Sequence, residues 1–527
     1  MPRIAFPLVA LAAAVPLVAG LHATQATSAP PDGLPAFRSY EAPEGVADTS
    51  GEPTLGVNLK TGNVMFISGL KTYRVNEFDK TGPGTSTWTD VSYPLTSVYT
   101  ADPILELDTA TGRTFVNQLM YSNPGSVMAY TDDDGATWTP VPYGSGVGAN
   151  VDHQTVGVGK FVPGSPFVPA GSYPNAVYYC TNDGVASDCA TSLDGGNTFS
   201  PAHPAYTDQD CAALHGHLKS GPDGTIYLPP DGCSGGDGGT SPAGVAVSED
   251  GSLTWEVRRV PGSDSGDAGH PSLGVATDGT VYLAYGSTSD DGDYGPVRVA
   301  KSTDKGKTWT APVALGTDLG VRASSFPIAV AGDPDRAAVG FLGTTAEGDP
   351  RNEASFTGRW DLYISTTYDG GQTWHTVNVT PDSPVQVGSI CTSGLTCGND
   401  RNLLDFNDMV LDERGNVVAG LADGCVKATC TSADREEHGL IVRQVSGTGL
   451  LKAFDQPVVV AQPSTSASPS AGPSATPSAA PTYAAPVPHA PVTMPSTGLD
   501  PALPLAAAGA ATVALVAGRR RRRARAA

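Results

Sequence analysis

Three histidines, His153, His217 and His270, stand at the same place in a repeated pattern, 64 and 53 residues apart. Each leads into a short apolar run that passes through a Gly-bearing turn into a second apolar run; residues 272–286 and 409–424 are clear copies of the continuation. Other copies begin at Glu52, Asp102, Phe326 and the pair Asn407–Asp408. Imidazoles and carboxylates drawn from separate repeats suit two kinds of chemistry. One is general acid–base catalysis, in which crowding spreads the pKa values of neighbouring groups. The other is a divalent metal, because imidazole and carboxylate together are good donors for zinc and similar ions. Each residue taken singly has a plainer role, hydrogen-bonding the start of the next repeat. The candidate catalytic set is therefore Glu52, Asp102, His153, His217, His270 and Asp408. No cofactor is certain, and the identity of any metal is unknown.

The repeats must supply the elements that hold these side chains. Each copy reads as strand–turn–strand. Downstream of five of them lies a second motif, Ser/Thr-x-Asp-x-Gly-x-Thr-Trp, at 131–138, 192–199, 248–255, 302–309 and 367–374. Phe199 replaces Trp and Ser252 replaces Gly in two copies, and a worn sixth copy runs over 79–88. Within such a turn an Asp carboxylate accepts bonds from nearby backbone N–H groups. Gly supplies positive φ, and the aromatic ring buries apolar area at the base of the next strand. Asp133, Asp194, Asp250, Asp304 and Asp369 are thus structural. One strand–turn–strand plus one such hairpin makes a four-stranded antiparallel blade. Seven starts over 40–460 predict a single all-β domain, a seven-bladed β-propeller. Its closed ring leaves only short, protected edges. The alternative is six blades, with 405–460 as an appended piece. The inner strand of each blade should line a central channel, with the leading residues at its mouth and the Asp turns on the outer part of the blades.

The Asp turn matches the Asp-box, or BNR repeat, of sialidases and related propellers, so the chain resembles the sialidase-like superfamily. A six-bladed ring would be the sialidase number. The resemblance implies three arginines that bind a substrate carboxylate, an Asp acid/base and a Tyr nucleophile paired with Glu, outside the usual two-carboxylate scheme. Arg74, Arg322 and Arg401 are the candidate substrate-binding arginines. Two features depart from the family: residues 369–481 contain no Tyr, and the first-blade Phe-Arg-Ile-Pro motif is absent, with Phe37-Arg38-Ser39-Tyr40 in its place. Three functions follow as expectations. The first is an exo-glycosidase of sialidase-like type acting on extracellular glycans. The second is a non-catalytic propeller that binds glycan or protein, and the third is a metal-dependent propeller enzyme.

The two ends and the composition place the chain outside the cell. Gly (63) and Pro (45) are abundant among the 527 residues, which suits many short strands joined by turns. Residues 1–29, with Arg3 followed by an apolar stretch and then small residues, read as a signal peptide. Residues 462–493 are a Pro/Ser/Ala/Thr-rich linker too polar to bury a core. Residues 494–527 carry Met-Pro-Ser-Thr-Gly, an apolar segment and six arginines. This order resembles the LPXTG-type sorting signal of Gram-positive bacteria, with Met in the first position. It implies cleavage between Thr497 and Gly498 by a sortase and linkage to peptidoglycan, hence a cell-wall location. A plain C-terminal membrane anchor is the alternative.

The formal charge is −22, from 31 basic and 53 acidic residues; without the two ends, 24 basic and 52 acidic residues leave −28. Nucleic acid is excluded as a partner, because no basic stripe exists outside the C-terminal tail. The eight cysteines fall as near neighbours. In an exported chain they favour disulfides, with Cys180–Cys189, Cys211–Cys233, Cys391–Cys397 and Cys425–Cys430 as the nearest pairings.

Overall fold

The computed structural model describes residues 33–455, apart from 82–83, 95–99, 121–124, 142–151, 164–172, 213, 237–240, 266–268, 289–293, 393–396 and 428. The signal peptide, the linker and the sorting motif lie outside the described residues. Among those described there is no α-helix and no helix long and apolar enough to cross a membrane.

Seven antiparallel sheets make up the described chain, six of them from strands consecutive in sequence. Blade 1 runs from Thr54 to Asp90, blade 2 from Thr100 to Val141 and blade 3 from Asp152 to Thr207. Blade 4 spans Lys219–Arg259, blade 5 Ser272–Ala314 and blade 6 Ala323–Asn378. Blade 6 also carries a short extra strand, Gln386–Val387, against Arg359–Trp360. The seven-bladed expectation holds and the six-bladed one falls: residues 405–460 supply the inner three strands of a true seventh blade, Asp408–Leu411, Val417–Asp423 and His438–Ser446. Its outer strand is the N-terminal Ala36–Glu41, paired antiparallel to His438–Ser446 with Tyr40 opposite Ile441. The two ends of the propeller thus close one blade together.

Middle strands lack the apolar–polar alternation of a one-sided sheet. Val64–Ser68, Val281–Tyr285 and Val417–Asp423 are buried at every residue. Each blade packs a neighbour on both faces, so both sides of its inner strands must be apolar or fully hydrogen-bonded.

The five Asp-boxes all connect the third and fourth strands of blades 2 to 6. Their bonding is the same in each. In blade 3, Ser192 donates to Asp194 (2.8 Å), and the Thr198 N–H and hydroxyl donate to the same carboxylate (2.9 and 2.7 Å). Blade 7 has no box for a topological reason: its third and fourth strands come from opposite ends of the chain. Each box is also tied to the blade before it through a carbonyl of its turn. Arg74 donates to Asp134 O (3.5 Å), Arg113 to Gly195 O (2.8 Å), Thr191 to Gly251 O (3.1 Å), Arg258 to Lys305 O (2.7 Å) and Lys301 to Gly370 O (2.6 Å). All eight cysteines are bonded in the four nearest-neighbour pairs. Four disulfides fit an oxidising, extracellular setting.

Candidate functional site

The innermost strands all start on one face of the ring. Their antiparallel partners put the Asp-box turns on the other face. The leading residues adopt an unusual backbone there. Glu52, Asp102, His153 and Phe326, equivalent positions in blades 1, 2, 3 and 6, have φ of 57°, 46°, 48° and 54°. In blades 2, 3 and 6 the ladder slips at this point, between Ala101 and Ile104, Asp152 and Thr155, and Ser325 and Ile328. An extra residue in a strand turns its side chain out of the pleat. Left-handed non-glycine residues cost on the order of 1–3 kcal/mol each and persist where surrounding structure fixes them. In blade 5 Gly269 takes the positive φ (91°) and His270 follows it.

The device brings the histidines together. The His153 ring lies 4.1 Å from His270 and 5.3 Å from His215, centroid to centroid. Phe406, from the segment between blades 6 and 7, fills the space among them. Its ring is 4.5 Å from His217, 5.4 Å from His153 and 6.4 Å from His270. The expected open mouth is therefore closed at this point: His153 is 4% exposed, His215 0%, His270 7% and Phe406 5%. Burial, then the other imidazoles, hold the His153 pKa well below its ordinary value. Burial, then Lys219, do the same for His217. Burial brings His215 down to about 4 against a bond to Gly216 O. These three rings are neutral at neutral pH. Their Nε2 atoms are buried without a hydrogen-bond partner. His270 is oriented by Asp231, with 2.8 Å between Nδ1 and Oδ2.

Asp408 belongs to the same wall. It lies 4.0 Å from His217 Nδ1 and accepts the backbone N–H of Leu55 (3.2 Å), which joins blade 7 to blade 1. Burial works against the Lys219 charge, but Asp408 and Glu106 outweigh it and raise its pKa. Glu106 is itself pushed up to about 7 by burial, with Lys219 opposing.

A second group sits beside the imidazoles. Glu52, 2% exposed, faces Arg401 at 3.9 Å, and Arg401 pairs with Asp405. Burial, then the charges of Asp102 and Asp405, raise the Glu52 pKa well above its ordinary value, with Arg401 opposing. A cavity of about 740 Å³ lies at the outer strands of blade 7, lined by Glu41, Asp48, Thr49, Arg435, Glu436 and His438 among others. Thr49 lies three residues before Glu52, Arg435 donates to Asp400 (3.0 Å), and the Glu436 carbonyl accepts from Asn402 (2.8 Å). Below the same rim lies Asp423, 3% exposed, whose pKa is pushed up to about 8 by burial and by Glu41 and Glu436, against the Cys425 N–H it accepts.

The six proposed catalytic residues thus fall into two adjoining groups. His153, His217, His270 and Asp408 form one, and Glu52 and Asp102 the other. The three proposed substrate-binding arginines have separate settings. Arg74 serves the Asp-box turn of blade 2, Arg322 is exposed and faces Glu347 at 3.6 Å, and only Arg401 is at the site. Among the described residues no group of three or more His, Cys, Asp or Glu side chains is arranged to hold a metal ion. Sequence reasoning missed His215, Asp231, Phe406 and Asp423. His215 alone carried a signal, as the first of the pair in His-Gly-His at 215–217.

Residues 176–386 match the BNR repeat-like domain family. The match runs from the second strand of blade 3 through blade 6. No curated protein matches the sequence significantly. Among solved structures, a protein of unknown function from Dyadobacter fermentans is 14% identical, covers 78% of this chain and 100% of its own, and has a TM-score of 0.40. The Hadza microbial sialidase Hz136 is 16% identical, with 66% of this chain and 65% of that one covered and a TM-score of 0.37. An α-L-arabinanase from Penicillium chrysogenum is 13% identical, over 66% of this chain and 94% of its own, with a TM-score of 0.39. Likeness at this level says nothing about the activity of the BNR repeat-like blades described here.

Proposed function

We propose that this is an exported propeller that acts on extracellular glycans at the Glu52 group, as a glycoside hydrolase. The observation that carries the reading is the pairing of two features on one face. Burial and two neighbouring carboxylates raise the pKa of the Glu52 carboxyl well above its ordinary value, and the same face carries three neutral imidazoles whose Nε2 atoms have no partner. A sugar hydroxyl would supply those missing partners, which lowers the cost of leaving polar atoms buried. Glycoside cleavage requires a proton for the departing oxygen, and a carboxyl with a raised pKa is the group that delivers it. Glu52 takes the acid role. Asp102 and Asp405 are the carboxylates available to act as base or to stabilise positive charge on the sugar ring.

Export and covalent attachment to the cell wall belong to the same proposal and rest on the terminal sequences. Burial of the imidazoles under Phe406 favours a second reading, a propeller that binds glycans without cleaving them. Glu52→Gln separates the two. It should lower turnover of a hydrolysed glycoside by about 10²- to 10⁴-fold, the usual share of one general acid, while binding persists. Wild-type turnover unaffected by the substitution refutes the catalytic assignment; glycan binding with no turnover by either protein establishes the second reading.

A further inference from the structure

The two boxes that depart from their motif, those of blades 3 and 4, lie side by side. Between them, on the face opposite the Glu52 group, is a cavity of about 720 Å³ lined by Phe161, Tyr178, Leu193, Leu253 and the carboxylates of both boxes among others. We propose that this cavity is a second binding site, one that takes a small ligand with an apolar body and a protonated amine. Phe199 and Ser252 are the departures within the motif. Two further departures stand at the tips of the same turns. Leu193 occupies the position that is Asp132, Glu249 and Thr303 in the boxes of blades 2, 4 and 5. Leu253 occupies the position that is Asn197, Lys307 and Gln372 in those of blades 3, 5 and 6. Leu253 is 52% exposed, and Phe161 and Leu193 are half-buried. A leucine left in water at a polar turn does nothing for the fold, whereas an apolar surface with a polar rim is the usual lining of a ligand groove. The volume falls within the roughly 300–1,000 Å³ of small-molecule sites. Thr191 donates to Gly251 O (3.1 Å) and so fixes the spacing of the two turns.

The polar groups of the lining select the charge of the ligand. Of its three carboxylates, Glu249 is already paired, with Arg258 (2.8 Å) and Lys305 (2.9 Å). Asp194 and Asp250 accept bonds from their own turns, from the N–H groups of Thr198 and Thr254 (both 2.9 Å), and have no ion pair among the described residues. His203 is the one basic side chain in the lining. Tyr178 is 1% exposed, and burial, then Asp250, push its pKa up to about 12, so it is a neutral phenol at neutral pH. Tyr178 and Tyr282 are counterparts, each opposite the residue that precedes a box, Thr191 and Lys301. Tyr282 donates to Pro334 O (2.9 Å), but Tyr178 has no hydrogen-bond partner among the described residues. A buried phenol without a partner carries a desolvation cost that a ligand can remove. An ammonium group suits this setting. It has three N–H donors and no acceptor, which match the Tyr178 oxygen and the Asp250 carboxylate. Its charge offsets that of the carboxylates, and the faces of nearby aromatic rings attract it further. The apolar body then covers Phe161, Leu193 and Leu253.

The test offers the purified protein three probes with one apolar body and different ends: naphthylethylamine, naphthylethanol and naphthylacetate. Isothermal titration calorimetry at neutral pH measures their affinities. The amine should bind at least about tenfold more tightly than the acid, equivalent to about 1.4 kcal/mol, with the alcohol between them. The double substitution Leu193→Thr, Leu253→Lys installs the residues that the blade 5 box carries at those positions, so the turns keep their structure. It should lower amine binding at least about tenfold. Tyr178→Phe keeps the ring, removes only the hydroxyl, and should lower amine binding by about three- to tenfold. Thermal unfolding of both variants at the wild-type temperature confirms that the fold is intact. Absence of binding by all three probes overturns the site. Amine affinity unchanged in both variants also overturns it, because the probe then sits elsewhere. Equal affinity for amine and acid overturns the assignment of a cationic ligand.

Discussion

Asp423 offers a quantitative check on the electrostatics of the face that carries Glu52. Its carboxyl has a pKa of about 8 in the folded chain against 3.8 when free, because it is buried beside Glu41 and Glu436. The folded state therefore binds a proton that the unfolded state releases. The sign follows from linkage: stability from this group is fully present below the unfolded pKa and is lost as pH rises toward the folded one. Each pH unit in that window is worth about 1.4 kcal/mol. Integrated from pH 5 to pH 8, the wild-type protein should lose roughly 3–4 kcal/mol from this one carboxyl. Asp423→Asn removes the titration and keeps an oxygen to accept the Cys425 N–H, now at 2.8 Å. Urea unfolding followed by tryptophan fluorescence at both pH values measures the effect. The variant should match or fall short of wild type at pH 5, and its stability relative to wild type should rise by roughly 3–4 kcal/mol between pH 5 and pH 8. Glu106, with a pKa of about 7, adds a similar slope, but it is common to both proteins and cancels in the comparison. If the two proteins show parallel stability profiles between pH 5 and pH 8, Asp423 ionises normally and the account of this buried rim is wrong.

Two other outcomes follow from the turns and from the chain ends. Asp194→Ala removes the acceptor of three bonds within the blade 3 box. It should lower stability by about 1–3 kcal/mol in urea unfolding while leaving glycan binding intact, because the box lies on the face opposite the site. Thr497→Ala should abolish covalent linkage to peptidoglycan, read as the fraction of protein that stays with purified cell walls after boiling in detergent; equal retention of mutant and wild type would count against sortase attachment.

Much of the architecture was legible because the repeat carries its own markers. Each box must place an Asp, a Gly and an aromatic ring at fixed offsets, and those residue types are rare enough to be seen even where Ser252 or Phe199 departs. The leading residues were legible for a related reason: a short polar interruption marks the point where the inner strand kinks. What was hidden is non-local. Ala36–Glu41 pairs with His438–Ser446 across nearly the whole chain, and a six-residue strand with one fully buried side chain gives no hint of its partner. The placement of Phe406 depends on the path of a connecting segment, not on periodicity. Asp231 and Asp423 sit where strands end in turns, and an acidic residue beside Gly there reads as a solvated turn. Only burial and neighbours distinguish it from a perturbed acid. Arg74, a candidate substrate-binding arginine by resemblance alone, donates to a carbonyl in the next blade, a contact between blades that no motif in its own strand marks.

Both faces of the ring carry local strain, at Asp134, Ser252 and Lys305 in the boxes as well as at the strand starts. On the box face the Asp of each turn gathers the N–H and hydroxyl groups of that turn, and a carbonyl of the turn accepts a bond from a side chain of the blade before it. These bonds link blades 1 to 6 in order, although Ser252 Oγ and the Nε1 atoms of Trp255, Trp309 and Trp374 stay without a partner. On the other face the backbone is strained at Glu52, Asp102, His153 and Phe326, and three imidazole nitrogens remain unpartnered. Strain and unmet hydrogen bonds at four or more points would unfold a single hairpin, whose net stability is marginal. They persist here because each strained residue starts a strand whose far end is fixed by the ring. Asp408 makes the link explicit: the carboxylate that faces His217 also accepts the Leu55 N–H, so the contact that shapes the site is the contact that joins the last blade to the first. Loosening the seam between blades 7 and 1 should therefore disturb the imidazole group before it disturbs the boxes.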